Sequence, residues 1–361
     1  MTSKSKSKLV LIDPFTTFSE DGKPKPVPYV IDGLLTQGGF SVLGAKPKHG
    51  KSSMSRVQAV AVAKGLPFLG RTTTQGDVLL VSLEDQLEVV DMSLNVLEWN
   101  ATKDARIKII TQLPPASGTT EDKLEHLIFS LAEVLHHYPD ARLLVIDTLA
   151  KALRVRDLND YIDTMSAVEK FHKLARAYPK VHVEGLVHCK KISTDDPFDA
   201  LLGSTALRGE PDTNVVIYDT ENRMRVIEAE VRLGKRIDKT LLSAEIVESA
   251  GADIIKNFSL GKAYEAWQEE TEEKKTRNKL DDTRNRIREF LQSKQNQEFP
   301  QEAALKELGG RRSDVLNAAH ALCPDGLEIT GTPKSKTNPL VWKLKTFNPL
   351  QAFIEKNGSV Q

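Results

Sequence analysis

Residues 40–64 read FSVLGAKPKHGKSSMSRVQAVAVAK, and no other stretch limits the fold of this chain so strongly. An apolar run of strand character leads into Ala45-Lys46-Pro47-Lys48-His49-Gly50-Lys51-Ser52, and a helical pattern follows at once. This is the [AG]-x-x-x-x-G-K-[ST] spacing of a phosphate-binding loop, set between the strand and the helix that the motif requires. Gly50 lets the backbone curl so that successive N–H groups point inward, and the positive end of the next helix adds to the field. The cradle runs from Gly44 through Ala45, Lys46, Pro47, Lys48, His49, Gly50, Lys51 and Ser52 to Ser53. Lys51 is placed to reach the β and γ phosphates of a nucleotide such as ATP, and the Ser52 hydroxyl to ligate Mg2+. An ordinary glycine turn with an exposed lysine is the competing reading.

Mg2+ needs a second anchor. Arg142-Leu143-Leu144-Val145-Ile146-Asp147 is an apolar strand ending in a carboxylate, which makes Asp147 the candidate; its alternative role is helix N-cap for the segment beginning at Thr148. A general base for an attacking water belongs at the end of another central strand. In VLLVSLEDQ, Glu84 follows the strand directly and is the first choice, with Asp85 a surface acid or cap.

Around these motifs, short β-rich runs alternate with helical or looped segments from about Val30 to Ser259. Runs such as VLLVS and LLVID are continuously apolar, as strands buried on both faces of a mainly parallel sheet must be. The expectation is an α/β domain over 31–265, preceded by a Pro- and Lys-rich arm (1–30). After Thr213 the runs are spaced by the short TENRM turn and suggest an antiparallel extension. A highly charged tract with few apolar residues, 266–282, reads as a linker or solvated helix. Beyond it, over 283–347, come three short amphipathic helices and a basic-tipped hairpin, the order of a winged-helix domain, and then a tail (348–361). There, Arg311, Arg312, Lys334 and Lys336 are candidate nucleic-acid contacts, with protein docking as the alternative.

The chain carries 50 Lys+Arg against 50 Asp+Glu, yet residues 271–361 hold 16 basic and 12 acidic residues, so the basic excess is local. Two cysteines exclude a disulfide framework and fit a reducing, cytoplasmic setting. Neither a secretory leader nor a membrane span is expected.

Together the motifs resemble those of the RecA-like NTPases, and within them the RepA-type hexameric helicases and related ATPases of plasmids and phages. The similar stretch, about Leu34 to Lys239, comprises GGFSVLGAKPKHGKSS, VLLVSLEDQ, LLVIDTLAKAL, LVHCKK, GSTALRGEPDTNVVI and VRLGKRID. The resemblance implies a RecA-like P-loop NTPase core, Glu84 as catalytic base, and His188 as a polar sensor, unless His188 is merely a core histidine. It implies that Lys190 and Lys191 open a loop near a ring's central channel. It also implies a cationic finger from a neighbouring subunit, with Arg236 first, Arg232 second, and Lys235 and Arg208 as further candidates. The loop departs from the usual pattern in having Ala45 first and Lys46, Pro47, Lys48 and His49 where glycines are common.

The expected function is Mg2+-dependent ATP hydrolysis by a homo-oligomeric ring, six-membered by resemblance. Such a ring would move on single-stranded DNA in replication of a mobile element, with duplex DNA a further partner of the winged helix. A DNA- or partner-binding loader or regulatory ATPase, a recombinase-like filament former and a small-molecule phosphotransferase remain alternatives.

Overall fold

A computed structural model of the protein describes residues 23, 25–100, 104–153, 161–189, 196–201, 206–294, 297–323, 327–334 and 339–344. They fall into two units, one ending at Tyr264 and the other starting at Glu265.

The first unit opens with the ribbon β1 (Tyr29–Ile31) and β2 (Leu35–Thr36). Six strands then make a parallel sheet: β3 (Phe40–Ala45), β4 (Asp77–Ser82), β5 (Ile107–Ile110), β6 (Ala141–Asp147), β7 (His182–His188) and β8 (Thr213–Asp219). Their connections carry α1 (Lys51–Lys64), α2 (Leu87–Val96), α3 (Thr120–His137), α4 (Leu149–Leu153), α5 (Tyr161–Ala177) and α6 (Ala206–Gly209). Three antiparallel strands extend the sheet: β9 (Arg225–Val231), β10 (Ile237–Ser249) and β11 (Ala252–Ala263). The order across it is β11-β10-β9-β8-β3-β7-β6-β4-β5. The loop-bearing strand β3 is thus separated from β6, which ends in Asp147, by one inserted strand, β7. This is the RecA-like arrangement, and the expectation of a mainly parallel α/β core holds.

Both sheet faces are covered, which is why the strands are uniformly apolar. Leu43, Val78, Leu80, Val145 and Leu186 pack with Met54, Val57 and Val60 of α1 on one face. On the other, Phe171 of α5 stacks on Phe40, ring centroids 5.8 Å apart. Parallel strands so covered expose their chemistry only at their carboxyl ends.

The sequence reading differs from the structure in two places. It marks an antiparallel extension after Thr213 without resolving a second hairpin, whereas β10 and β11 form a long one. It also sets the tract 266–282, read as a linker or solvated helix, apart from a following helix, whereas both belong to α7 (Tyr264–Ser293), one 30-residue helix, so the helical alternative is the one formed. Pairs such as Lys275–Glu272 and Arg284–Asp281, three residues apart, support its polar faces.

In the second unit α7 is followed by β12 (Phe299–Pro300), α8 (Gln301–Leu308), α9 (Arg312–Leu322), β13 (Leu327–Thr330) and β14 (Val341–Leu344). The strands pair antiparallel in the order β12-β14-β13. Its separate core includes Ile287, Leu291, Val315, Ala319, Leu322 and the fully buried Trp342, whose indole N–H donates to Gln301 Oε1 at 3.0 Å. No helix among the described residues is long and apolar enough to cross a membrane.

Candidate nucleotide-binding site

The loop after β3 turns through Lys48 (φ 65°) and Gly50 (φ 85°), the second a left-handed position suited to glycine. Helix α1 starts at Lys51, so the free N–H groups of its first turn open into the loop. Lys51 is buried, and its Nζ lies 2.8 Å from Asp147 Oδ1, itself buried at the end of β6. Asp147 is therefore tied to the loop lysine and sits in a strand, rather than capping a helix with its side chain.

Leu83 N donates to Asp147 O at 2.7 Å, which draws the chain leaving β4 against the end of β6. Glu84 comes next. Its Oε1 accepts from Thr148 Oγ1 at 3.0 Å and lies 3.4 Å from His188 Nε2. His188 ends β7 directly beside Ala45 of β3 in the parallel register. Lys51, Asp147, Glu84, Thr148 and His188 thus converge at the carboxyl ends of the central strands, although Lys51 and His188 are 137 positions apart in the sequence. Asp85 is tied elsewhere, paired with Arg56 of α1, which also donates to Ser93 Oγ at 2.9 Å.

Thr148 and Arg56 escaped the sequence reading. Thr148 had a weak signal, its place directly after Asp147. Arg56 had none, since its partners lie 29 and 37 residues away.

The donor set suits Mg2+. Ser52 and Asp147 offer hard oxygen ligands, and among the described residues Asp147 is anchored through one of its carboxylate oxygens, Oδ1. Among the described residues no group of three or more His, Cys, Asp or Glu side chains could hold a metal. Mg2+ commonly takes one or two protein oxygens and completes its shell with phosphate and water.

Under the loop helix, Glu184 of β7 accepts from Gln58 Nε2 at 3.1 Å in an apolar setting, and burial pushes its carboxyl up to about 7. Burial acts oppositely on His182, two residues earlier on the same strand, bringing its imidazole down to about 4. Between pH 4.5 and 7 the folded chain keeps a proton on Glu184 that the unfolded chain releases, so this group's contribution to stability is lost as pH rises through that window. Glu184→Gln should abolish this component, which amounts to up to about 3 kcal/mol at 1.36 kcal/mol per pKa unit. Chemical denaturation from pH 4.5 to about 8 checks it, and identical profiles for wild type and variant would refute it.

The finger candidates differ in engagement. Arg208 pairs with Asp196 (2.7 Å), Glu230 (3.2 Å) and Asp199. Arg232 donates to the carbonyls of Gly209 and Glu210 at 3.2 and 3.3 Å. Lys235 and Arg236 lie in the β9–β10 connection, which Arg71 clamps by donating to Asp32 O (3.0 Å) and Lys235 O (2.8 Å). Arg236 stands out from it, 76% exposed, with its Nε 2.7 Å from Oδ1 of Asp238, which is 70% exposed. In the second unit, Arg311 and Lys334 are exposed, while Arg312 makes a bidentate pair with Glu302 at 2.7 and 2.6 Å. Arg312 is thereby already partnered within the chain. Lys190, Lys191 and Lys336 lie outside the described residues.

A phosphate-binding loop and a strand-end carboxylate on this strand order define a RecA-like P-loop NTPase core. A family model described as AAA domain matches residues 5–194, more than half of the chain, and the chain belongs to that family. Two solved structures are similar to it. One is a KaiC-like protein from the hyperthermophilic archaeon Pyrococcus horikoshii OT3, at 14% identity over 64% of this chain and 99% of that one, TM-score 0.43. The other is the ATPase domain of a second protein, at 16% identity over 60% of this chain and 84% of that one, TM-score 0.43. A search of curated proteins gives no match.

Proposed function

We propose that the protein is an Mg2+-dependent ATPase that assembles as a ring and moves along single-stranded DNA, in the manner of the RepA-type helicases its motifs resemble. The reading rests above all on one observation, the meeting of the Lys51–Asp147 pair with Glu84, Thr148 and His188 at the carboxyl ends of the central strands.

Loop amides and Lys51 bind the β and γ phosphates, and Ser52 and Asp147 hold the metal, which when bound supplies positive charge against the phosphate oxygens. Glu84, steadied by Thr148, accepts a proton from a water aligned with the γ phosphorus. The new P–O bond forms as the bond to the β–γ bridging oxygen breaks, releasing ADP and inorganic phosphate. His188, in reach of Glu84, is suited to report loss of the γ phosphate to the segment that follows β7. Arg236 is the preferred finger toward a neighbouring subunit because its guanidinium is exposed on a clamped connection. The second unit, with its helix, strand, two helices and two strands, is read as a winged helix that contacts duplex DNA through Arg311 and Lys334.

Steady-state hydrolysis with and without single-stranded DNA, followed by a forked-duplex assay, tests this. DNA-stimulated hydrolysis with strand displacement is the expected result. Stimulation without displacement would replace the helicase by a loader or regulatory ATPase.

A further inference from the structure

Hairpin β10–β11 presses on the phosphate loop. A Cβ built on Gly50 would lie 3.3 Å from Phe258 Cζ and 3.5 Å from Ile255 Cδ1. Residues three apart on a regular strand point to opposite faces, so a regular β11 would not bring both side chains to Gly50. The ladder is broken between them: Glu245 pairs with Asn257 and Ile246 with Ile255, leaving Lys256 as an extra residue on β11. Such a bulge re-aims side chains. Residues directly opposite in an antiparallel pair share a face, so Ile246 stands beside Ile255 on the side of the ribbon that meets the loop.

Burial grades along this side. Phe258 is 3% exposed, Ile255 is half-buried against the core, and Ile246 is 59% exposed. β11 also packs against α1 and α2, which places this apolar step at the outer wall of the loop. Ile246 is flanked on β10 by the polar Glu245 and by Val247, which is 36% exposed and lies opposite Ile254, with the polar Glu248 and Ser249 beyond, so Ile246 is the more open of two adjacent exposed aliphatic side chains. The loop amides and Lys51 account for a polyphosphate but offer nothing to the flat, weakly hydrated ring attached to it, whereas an exposed branched aliphatic side chain beside the loop suits that ring.

We propose that Ile246 and Ile255 form the apolar shelf on which the base of the bound nucleotide lies. The inference rests on the nucleotide-binding reading above and adds the part of the ligand that the phosphate loop leaves unexplained.

Titrations of the full chain with ATP and with inorganic tripolyphosphate, both in Mg2+, separate the two ideas. Ile246→Ser changes an exposed side chain and should weaken ATP about tenfold, as expected for losing a partly buried aliphatic contact, while leaving tripolyphosphate unchanged. Ile246→Val should keep ATP affinity within about threefold of wild type. Lys51→Ala should weaken both ligands. Unchanged ATP affinity in Ile246→Ser, or an equal loss for both ligands, would overturn the shelf while a Lys51 effect left the phosphate reading standing. If the wild type bound neither ligand, both readings would fall.

Discussion

Glu84→Gln should reduce ATP turnover by about 10²–10⁴-fold, the usual contribution of a positioned general base, with ATP affinity nearly unchanged. The amide is isosteric and can still accept from Thr148, so the hydrogen bond of 3.0 Å has a replacement and the strand-end geometry has no reason to shift. What disappears is a carboxylate able to take a proton from water. The variant should therefore bind ATP and hold it, and single-turnover and binding measurements together check this. Asp85→Asn provides the contrast, because Asp85 is engaged with Arg56 away from Glu84's partners; its turnover should stay within a few-fold of wild type. Turnover in Glu84→Gln close to wild type would remove Glu84 from the chemistry.

Lys51→Ala should abolish measurable hydrolysis, and it should do so for two separable reasons. The ammonium meets charge that develops on the transferred phosphoryl group, and loss of one such contact typically costs about 10²–10³ in rate. Lys51 is also the buried partner of Asp147 at 2.8 Å, and removing one member of a buried pair leaves the other uncompensated at a cost of about 3–5 kcal/mol. The single variant should thus be less stable as well as inactive. Adding Asp147→Asn removes the stranded charge, so the double variant should regain much of the lost stability and remain inactive. Thermal unfolding of the three proteins beside their turnover distinguishes these effects. Recovery of hydrolysis in the double variant would contradict the assignment.

How much of this was legible in the sequence depended on how local each feature is. The phosphate loop is one contiguous segment whose flanks declare themselves, and Asp147 closes an apolar strand, so both could be located from residues alone. Glu84 and Asp85 are adjacent acids; only the fold shows that one faces Thr148 and His188 while the other is drawn to Arg56. The engagement of Arg208 with three carboxylates and of Arg312 with Glu302 likewise depends on residues brought together by folding, and it changes which cations are free to act. Hairpin β10–β11 was missed because Lys256 breaks the period-2 pattern within it and much of its surface is exposed. The tract 266–282 offered no apolar stripe from which a helical period could be read, although its residues lie on a continuous helix.

Direct titration of ATP, in Mg2+, into the wild-type chain and into Lys51→Ala tests most closely whether residues 45–52 and Asp147 hold a nucleotide's terminal phosphates. Saturable binding by the wild type that is weakened at least about tenfold in the variant is the predicted result. Absence of saturable binding by the wild type, or equal affinity in the two proteins, would contradict it.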